Sequence, residues 1–231
     1  GPMELYRRNI PIIRKAVESH GLLDRIPGVH LEGPFINPKC LGAQNPDFVR
    51  KPDSAMLARL HKVFPVKKIT FAVEEEGGAE LVGELLSMGI PPSCTHSAAK
   101  YPEFMAAYNN GLRNLSHFCN QMSPLHHRDI GLVGAGLLHS DVYAELICDG
   151  FHVHPSAVRL AFAMFKDRMV LVSDSGRCAG LPEGSKFEIG GQDAWLRDGV
   201  AKLADGTIAC SAANLWQCLT NVIAWGLAEE D

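Results

Sequence analysis

Four short segments of this sequence each carry, as their third residue, a side chain that can bind a metal or carry a proton. They are His30-Leu31-Glu32-Gly33, Cys94-Thr95-His96-Ser97, Leu115-Ser116-His117-Phe118 and Val172-Ser173-Asp174-Ser175. One carboxylate with two neutral imidazoles suits zinc and leaves a coordination position for water. A further carboxylate nearby can take a proton from that water. A single histidine at such a position more often makes an ordinary hydrogen bond, but the four segments together indicate a metal-dependent site.

These segments need strands to position them. From about Gly28 the sequence alternates a short apolar run with a stretch of helical spacing, which predicts βαβ units and a parallel sheet, and thus an α/β fold. The predicted strands cover 29–32, 68–73, 93–96, 113–117, 143–148 and 169–174. In a parallel α/β barrel the carboxyl ends of the strands converge on one rim. We therefore expect Glu32, His96, His117 and Asp174 to lie close together.

Helical spacing separates the predicted strands. Two helices should end at Gly89 and Gly111, another should begin at Pro155, and the last should span about 214–225. A helix over 4–19 is predicted before the first strand. The proline at position 11 should kink this helix or divide it in two.

Residues 181–209 break this alternation. Five glycines punctuate short alternating segments there, which predicts an excursion of hairpins. Since no linker or shift of composition indicates an internal boundary, residues 4–231 are predicted to form one domain. Residues 1–3, Gly-Pro-Met, resemble the remnant of a protease-cleaved tag and are left out of the fold prediction.

The composition narrows the class of protein. The 231 residues are 46% hydrophobic, yet they contain no secretory signal pattern and no apolar run long enough for a membrane span, which predicts a soluble protein without a membrane partner. The seven cysteines are scattered and form no C-x-x-C pair, which favours a reducing, cytoplasmic location. A net charge of −4 provides no general field for binding nucleic acid.

Six sequence segments together resemble the N-acetylglucosamine-6-phosphate deacetylases of the amidohydrolase superfamily. The segments are His30-Leu31-Glu32-Gly33-Pro34-Phe35 with Gly42-Ala43, Thr95-His96-Ser97-Ala98-Ala99, Ser116-His117-Phe118-Cys119-Asn120-Gln121-Met122, Leu125-His126-His127-Arg128, Glu145-Leu146-Ile147-Cys148-Asp149-Gly150-Phe151-His152-Val153-His154-Pro155 and Leu171-Val172-Ser173-Asp174. They occur in the family's order between about residues 28 and 213. Each segment is moderately specific, and the ordered set is highly specific.

The resemblance implies a role for each of several residues. Glu32, His96 and His117 would hold one divalent metal ion, zinc in the first place, with iron, manganese or cobalt as alternatives. Asp174 would be the general base that later protonates the leaving amine. The phosphorylated amino sugar would be held by a further group of side chains: Gln44, Asn120, Gln121 through its backbone, Arg128 and His152.

The same resemblance implies a reaction and an assembly. The reaction would be hydrolysis of the N-acetyl group of N-acetylglucosamine 6-phosphate to glucosamine 6-phosphate and acetate. Family members are similar to dimers that share phosphate contacts across the interface, so a homodimer is expected. The fold implied is a (β/α)8 TIM-type barrel of the amidohydrolase kind.

The sequence departs from the family pattern in four places. Gln44 stands where the family has a histidine that helps to polarise the acetamide carbonyl, and glutamine cannot become cationic as negative charge develops there. Val73 replaces a proline, and Gln121 replaces a small residue beside the phosphate. No H-x-H strand or β-sandwich is present, so we expect a barrel without its first two strands, with an open sheet edge and a single metal site.

Two other functions remain compatible with these residues. A related amidohydrolase acting on another N-acyl sugar or a cyclic amide would share the metal ligands but would not need the phosphate contacts of Asn120 and Arg128. An inactive sugar-phosphate-binding homologue would explain Gln44. Metal analysis with an acetate-release assay discriminates between an enzyme and a binding protein.

Overall fold

The computed structural model describes residues 2–228. Its helices and strands, in chain order, are α1 (Pro2–Ser19), β1 (Val29–Glu32), α2 (Ser54–Val63), β2 (Val66–Phe71), α3 (Gly78–Ser87), β3 (Pro92–Cys94), α4 (Tyr101–Asn109), β4 (Asn114–Leu115), β5 (Leu125–His126), β6 (Asp129–Ile130), α5 (Leu132–Leu138), β7 (Tyr143–Ile147), α6 (Pro155–Phe165), β8 (Met169–Val172), β9 (Lys186–Ile189), β10 (Gln192–Arg197), β11 (Val200–Leu203), β12 (Ile208–Ser211) and α7 (Leu215–Ala224).

Six parallel strands form the main sheet, in the order β1-β2-β3-β4-β7-β8. All six strands predicted from the sequence are confirmed, with boundaries that differ by a few residues. Because neighbouring strands are parallel, their carboxyl ends lie along one edge of the sheet. The fold is therefore α/β, a partial barrel of parallel strands in which each of the four segments singled out above reaches the same rim.

The barrel is open between β1 and β8. Within residues 2–228 these two strands form the outer members of the six-stranded sheet and pair with no further strand. A cavity of about 480 Å³ lies between them and is lined by His30 of β1, Glu145 of β7 and Leu171 of β8. The exposed edge and partly open core expected from the sequence are present in the described part of the chain.

Helices cover the outer face of the sheet. The helical spacing predicts one face of α3 formed by Leu81, Val82, Leu85 and Leu86. The first three side chains are buried, but Leu86 is 45% exposed, so the prediction is wrong for Leu86. Gly89, just beyond this helix, has a φ of +72°, a left-handed conformation that costs glycine little. None of the helices described over residues 2–228 is long and apolar enough to cross a membrane.

Helix α1 corrects one expectation. It runs without a break from Pro2 to Ser19 with Pro11 inside it, so the prediction that Pro11 divides the helix is wrong. Ile10 and Val17, two helical turns apart, are both buried in the core. Since burial of this apolar stripe stabilises the helix, it can offset the backbone hydrogen bond that proline cannot donate.

The predicted excursion of hairpins is confirmed as an antiparallel sheet in the order β12-β11-β10-β9. Its last strand, β12, also contacts the segment that follows β8. Ser211 donates its backbone N–H to the carbonyl of Asp174 at 2.9 Å, and Gly176 donates to the carbonyl of Ser211 at 3.0 Å. The excursion is thus attached to the rim of the barrel beside Asp174.

Candidate metal centre and substrate cavity

Left-handed backbone conformations aim three of the predicted site residues at one another. His96, His117 and Asp174 each lie two residues beyond the end of a barrel strand, and their φ angles are 47°, 32° and 49°. For residues other than glycine this region costs about 1–3 kcal/mol each. Such a cost at three strand ends of one rim indicates that the surrounding structure holds these side chains in place for function.

The three predicted ligands lie around one point. The ligand atoms of Glu32, His96 and His117 are all within 4.8 Å of one another. Oε1 of Glu32 lies 2.8 Å from Nε2 of His117 and 3.2 Å from Nε2 of His96. One carboxylate oxygen and two imidazole nitrogens therefore face a common centre, which is the donor set of a divalent metal site.

The opposite nitrogen of each imidazole has its own partner. Nδ1 of His96 donates to the carbonyl of Cys40 at 2.7 Å. Nδ1 of His117 lies 3.1 Å from the hydroxyl of Thr95, which itself donates to the carbonyl of Asn120. A proton on Nδ1 leaves the lone pair of Nε2 directed at the centre, the arrangement found around metal-binding histidines. The residues present fit a divalent ion.

Charge and hydrogen bonding tie these groups together. Burial favours the neutral form of Glu32, but hydrogen bonds with His117 and His96 outweigh it and hold the pKa of Glu32 well below its usual value. Burial lowers the pKa of His117, whereas the hydrogen bond and charge of Glu32 raise it more, so the net shift is upward. The carboxylate is consequently ionised at neutral pH and available as a ligand.

Asp174 lies at the same rim and is suited to proton transfer. Its side chain is partly open to the cavity, and Oδ2 lies 3.9 Å from Nε2 of His152. The protein atoms packed around Asp174, together with the charge of Glu32, raise its pKa to about 6. A carboxylate with a pKa near neutrality can both accept and return a proton.

These groups face a cavity of about 510 Å³. Eight of the nine predicted site residues line it: Glu32, Gln44, His96, His117, Asn120, Gln121, His152 and Asp174. The volume falls in the range usual for sites that bind small molecules. The structure thus brings distant residues together in one cavity: Glu32 and Asp174, which both line it, are 142 positions apart in the sequence.

Sequence reasoning missed one wall of this cavity. Ile189, Gly190 and residues 207–210 line it, and all of them belong to the antiparallel excursion or its turns. Asn45 donates to the carbonyl of Gly190 at 3.0 Å, and Gln192 donates to the carbonyl of Ala43 at 2.9 Å. These bonds join the excursion to the loop after β1. The glycine-rich pattern predicted hairpins in this segment, but it did not indicate that they would pack against the cavity.

Gln44 contacts the predicted metal ligand Glu32 instead of standing free in the cavity. Its Nε2 donates to Oε2 of Glu32 at 2.9 Å, which is the carboxylate oxygen that does not face the two histidines. At the position where the resembled family has a carbonyl-polarising histidine, the amide of Gln44 is therefore directed at Glu32. This contact fixes the orientation of the Glu32 carboxylate, a role that a neutral side chain can fill.

Arg128 is the predicted site residue that does not line the cavity. It lies in the exposed turn between β5 and β6, where NH1 is 2.6 Å from Nε2 of His127. Lys100 pairs with Asp129 at 2.8 Å and so ties this hairpin to the start of α4. Since Arg128 is not among the described residues that line the cavity, its predicted role in holding phosphate stays a prediction.

Gly176 offers a test of how closely the Asp174 segment is packed. A Cβ atom at position 176 would lie 2.1 Å from Sγ of Cys210 on β12. We expect Gly176→Ala to destabilise the protein by about 1–3 kcal/mol, as overpacking of a core does. It should also displace Asp174. Urea unfolding measures the first effect and the activity assay described below measures the second.

The controls for Gly176→Ala are built into the chain. Cys210→Ala removes the clashing sulfur, so the double variant should recover part of the lost stability. Gly83 lies in α3 with no atom within 4 Å of a Cβ, and Gly83→Ala should be neutral or stabilising by up to about 1 kcal/mol. If Gly176→Ala unfolds at the same urea concentration as the parent protein, the close packing of this segment is refuted.

Comparisons with known proteins place these features among relatives. No protein-family model matches the chain. The chain is 38% identical over 201 residues to the N-acetylglucosamine-6-phosphate deacetylase of Bacillus subtilis, covering 85% of this chain and 50% of that protein. It is 34% identical to the N-acetylgalactosamine-6-phosphate deacetylase of Escherichia coli O157:H7, covering 86% of this chain and 53% of that protein.

A solved structure shows the same fold. The N-acetyl-D-glucosamine-6-phosphate deacetylase of Mycobacterium smegmatis, as a mutant in complex with N-acetyl-D-glucosamine-6-phosphate, superposes with a TM-score of 0.89 at 30% identity. The match covers 97% of this chain and 58% of that chain. The chain spans about half the length of the curated relatives it matches.

Proposed function

Because the chain belongs to the family of N-acetylglucosamine-6-phosphate deacetylases, we propose that it carries the metal-binding and catalytic face of such an enzyme. The reaction would hydrolyse the N-acetyl group of N-acetylglucosamine 6-phosphate to glucosamine 6-phosphate and acetate. The observation that carries the proposal is the meeting of Glu32, His96 and His117 around one centre in a cavity that also contains Asp174.

Each group has a task in this proposal. Glu32, His96 and His117 would hold a divalent ion, which would supply the Lewis acidity that activates water and polarises the amide carbonyl. Asp174 accepts the proton from the attacking water and then donates it to the nitrogen of the departing amine, so that amide and water become amine and acetate. Its pKa of about 6 makes both transfers feasible near neutral pH.

We propose zinc as the ion, one per chain. Two imidazoles and one carboxylate are a ligand set that zinc favours, and the three side chains leave a coordination position for water. Iron, manganese and cobalt accept the same ligands, and cellular supply often decides among them. Elemental analysis of the purified protein distinguishes these four metals.

The substrate phosphate is proposed to lie near Asn120 and Gln121. Both residues line the cavity next to His117. Arg128 offers a planar fork for phosphate oxygens, but it projects from the exposed β5–β6 hairpin. We therefore propose a homodimer in which this hairpin reaches the cavity of the second protomer.

A cytoplasmic location agrees with seven cysteines that are all free.

Acetate release from three substrates tests the proposal. With zinc supplied, the chain should release acetate from N-acetylglucosamine 6-phosphate much faster than from N-acetylglucosamine, because the unphosphorylated sugar forms no phosphate contacts. The galactosamine epimer should be included because one relative is an N-acetylgalactosamine-6-phosphate deacetylase. Equal rates with and without the phosphate would favour a deacetylase for another N-acyl sugar.

A second candidate function is sugar-phosphate binding without catalysis. The observation that favours it concerns Gln44, which is neutral and donates a hydrogen bond to Glu32. No cationic side chain at that position therefore stabilises negative charge on the carbonyl oxygen. Well under one metal ion per chain, together with no acetate release, would support this function over the enzyme.

A further inference from the structure

Asp149 is a buried carboxylate to which the proposed mechanism assigns no task. It lies two residues beyond the end of β7, and its side chain is 1% exposed. A carboxylate at such a depth is costly unless hydrogen bonds compensate for the loss of water. The groups that donate hydrogen bonds to Asp149 therefore indicate the role of its negative charge.

Four hydrogen bonds surround this carboxylate, divided between its two oxygens. Oδ1 accepts the backbone N–H groups of Phe151 and His152 at 2.9 and 3.0 Å. Oδ2 lies 2.7 Å from Nδ1 of His152 and accepts the hydroxyl of Ser211 at 2.8 Å. The contacts of Oδ1 form a local turn, whereas those of Oδ2 reach a ring that lines the cavity and a strand of the second sheet.

The carboxylate is ionised under all ordinary conditions. Burial raises the pKa of Asp149, but the hydrogen bonds from the side chain and backbone of His152 outweigh this effect and bring the pKa down to about 2. An ionised carboxylate only accepts hydrogen bonds. In neutral His152 the proton therefore lies on Nδ1, and Nε2 carries a lone pair.

That lone pair faces the reacting groups. Nε2 of His152 lies 3.9 Å from Oδ2 of Asp174, and both side chains line the 510 Å³ cavity. Ser211 contacts both aspartates: its hydroxyl donates to Asp149 and its backbone N–H donates to the carbonyl of Asp174. One residue of β12 thus fixes the position of His152 through Asp149 and that of Asp174 directly.

We propose that Asp149 is a positioning residue, which holds the His152 ring with Nδ1 protonated and Nε2 presented to the substrate, and which Ser211 anchors to β12. The inference rests on the proposed deacetylase function for its consequence in catalysis. Its structural half, the fixed tautomer of His152, does not depend on that function.

Asp149→Asn separates this role from that of the local turn. The asparagine carbonyl can still accept the backbone N–H groups that Oδ1 accepts, so the turn is retained. Its amide NH₂ replaces Oδ2 and can only donate. Facing an NH₂ group, Nδ1 of His152 becomes an acceptor, and the proton moves to Nε2.

Nitrogen NMR of isotope-labelled histidine reads the tautomer directly. At a pH about two units above the ordinary histidine pKa of about 6.5, the parent protein should show a protonated Nδ1 and an unprotonated Nε2 for His152. The resonance is assigned by its loss in His152→Gln. The Asp149→Asn variant should show the reverse pattern. A parent protein with its proton on Nε2 overturns the proposal, even if the variant fails to fold.

Steady-state kinetics test the catalytic consequence. Asp149→Asn should lower kcat/KM by about 10- to 100-fold, taking as a guide the range seen when the hydrogen-bond partner of a metal-binding histidine is removed. Asp167→Asn, which alters an exposed carboxylate beyond α6, is the matched control and should leave kcat/KM unchanged. A reversed tautomer with unchanged kcat/KM would overturn the catalytic part.

Two further results keep the outcomes separable. If Asp149→Asn is unfolded, Ser211→Ala is used instead. This variant keeps the Asp149 carboxylate, so it should retain the parent tautomer of His152 and lose less of kcat/KM than Asp149→Asn. An unchanged kcat/KM in Ser211→Ala would contradict the proposal. If the parent protein releases no acetate at all, the proposed function fails, while the NMR result still decides whether Asp149 fixes the His152 ring.

Discussion

Replacing Asp174 by asparagine should lower turnover of N-acetylglucosamine 6-phosphate by about a hundredfold to ten-thousandfold, the usual contribution of a positioned acid–base group. The asparagine side chain has nearly the same shape but cannot accept a proton from water. Metal content should remain that of the parent protein, because the Glu32, His96 and His117 ligand atoms form the centre without Asp174.

The pH profile of the parent protein adds a second readout for Asp174. Its pKa is raised to about 6, so the ionised base predominates above that value and is lost as the pH falls through it. Activity should therefore decline on the acid side, at or below pH 6 because a bound cation favours the carboxylate. The residual activity of Asp174→Asn should lack this limb. An unchanged rate of acetate release from the variant would remove Asp174 from the mechanism.

Much of the fold and most of the site were predictable because the sequence at a strand end indicates both the buried strand and the position of the rim. Apolar runs such as 169–172 mark a buried strand, and a polar residue directly after the run marks the rim. Since parallel strands must end on the same side, Glu32, His96, His117 and Asp174 had to meet if the six runs were strands. The long separation between them in the sequence was no obstacle.

Other parts of the site leave no such pattern. The left-handed φ angles of His96 and His117 depend on how each loop is packed, and residues other than glycine give no sign of them. Asp149 belongs to a recognised segment, but its bond to Ser211, 62 positions away, requires the contact between β12 and the barrel. Tertiary contacts of this kind cannot be read from local periodicity.

Arg128 and Gln44 illustrate a third limit. The resemblance to the family placed both residues at the substrate, yet Arg128 lies on an exposed hairpin and Gln44 donates to Glu32. A motif indicates which residues accompany a function but not whether a given contact forms within one chain. In the proposed homodimer the phosphate contact of Arg128 depends on assembly, which a sequence alone does not specify.

Glu32→Gln should weaken metal binding by more than about a hundredfold, since losing even an outer partner of a ligand costs about 10- to 100-fold. The substitution removes the negative charge that faces both imidazoles and replaces one carboxylate oxygen by an NH₂ group, which cannot bind a metal ion. Without that charge, His117 loses the hydrogen bond and the charge that oppose the effect of burial, so its pKa should fall relative to that in the parent protein. Metal titration by calorimetry, followed by elemental analysis of the dialysed protein, measures the effect.

Two companion variants determine what a loss of metal in Glu32→Gln means. Thr95→Val removes the hydroxyl beside Nδ1 of His117 and leaves all three ligands, so it should weaken binding by only about 10- to 100-fold. Glu80→Gln changes an exposed glutamate of α3 and should have no effect. The order Glu80→Gln, Thr95→Val, Glu32→Gln in increasing severity would locate the ion at this centre. If Glu32→Gln bound metal as tightly as Glu80→Gln, the ion would have to bind elsewhere, and the deacetylase mechanism would lose its Lewis acid.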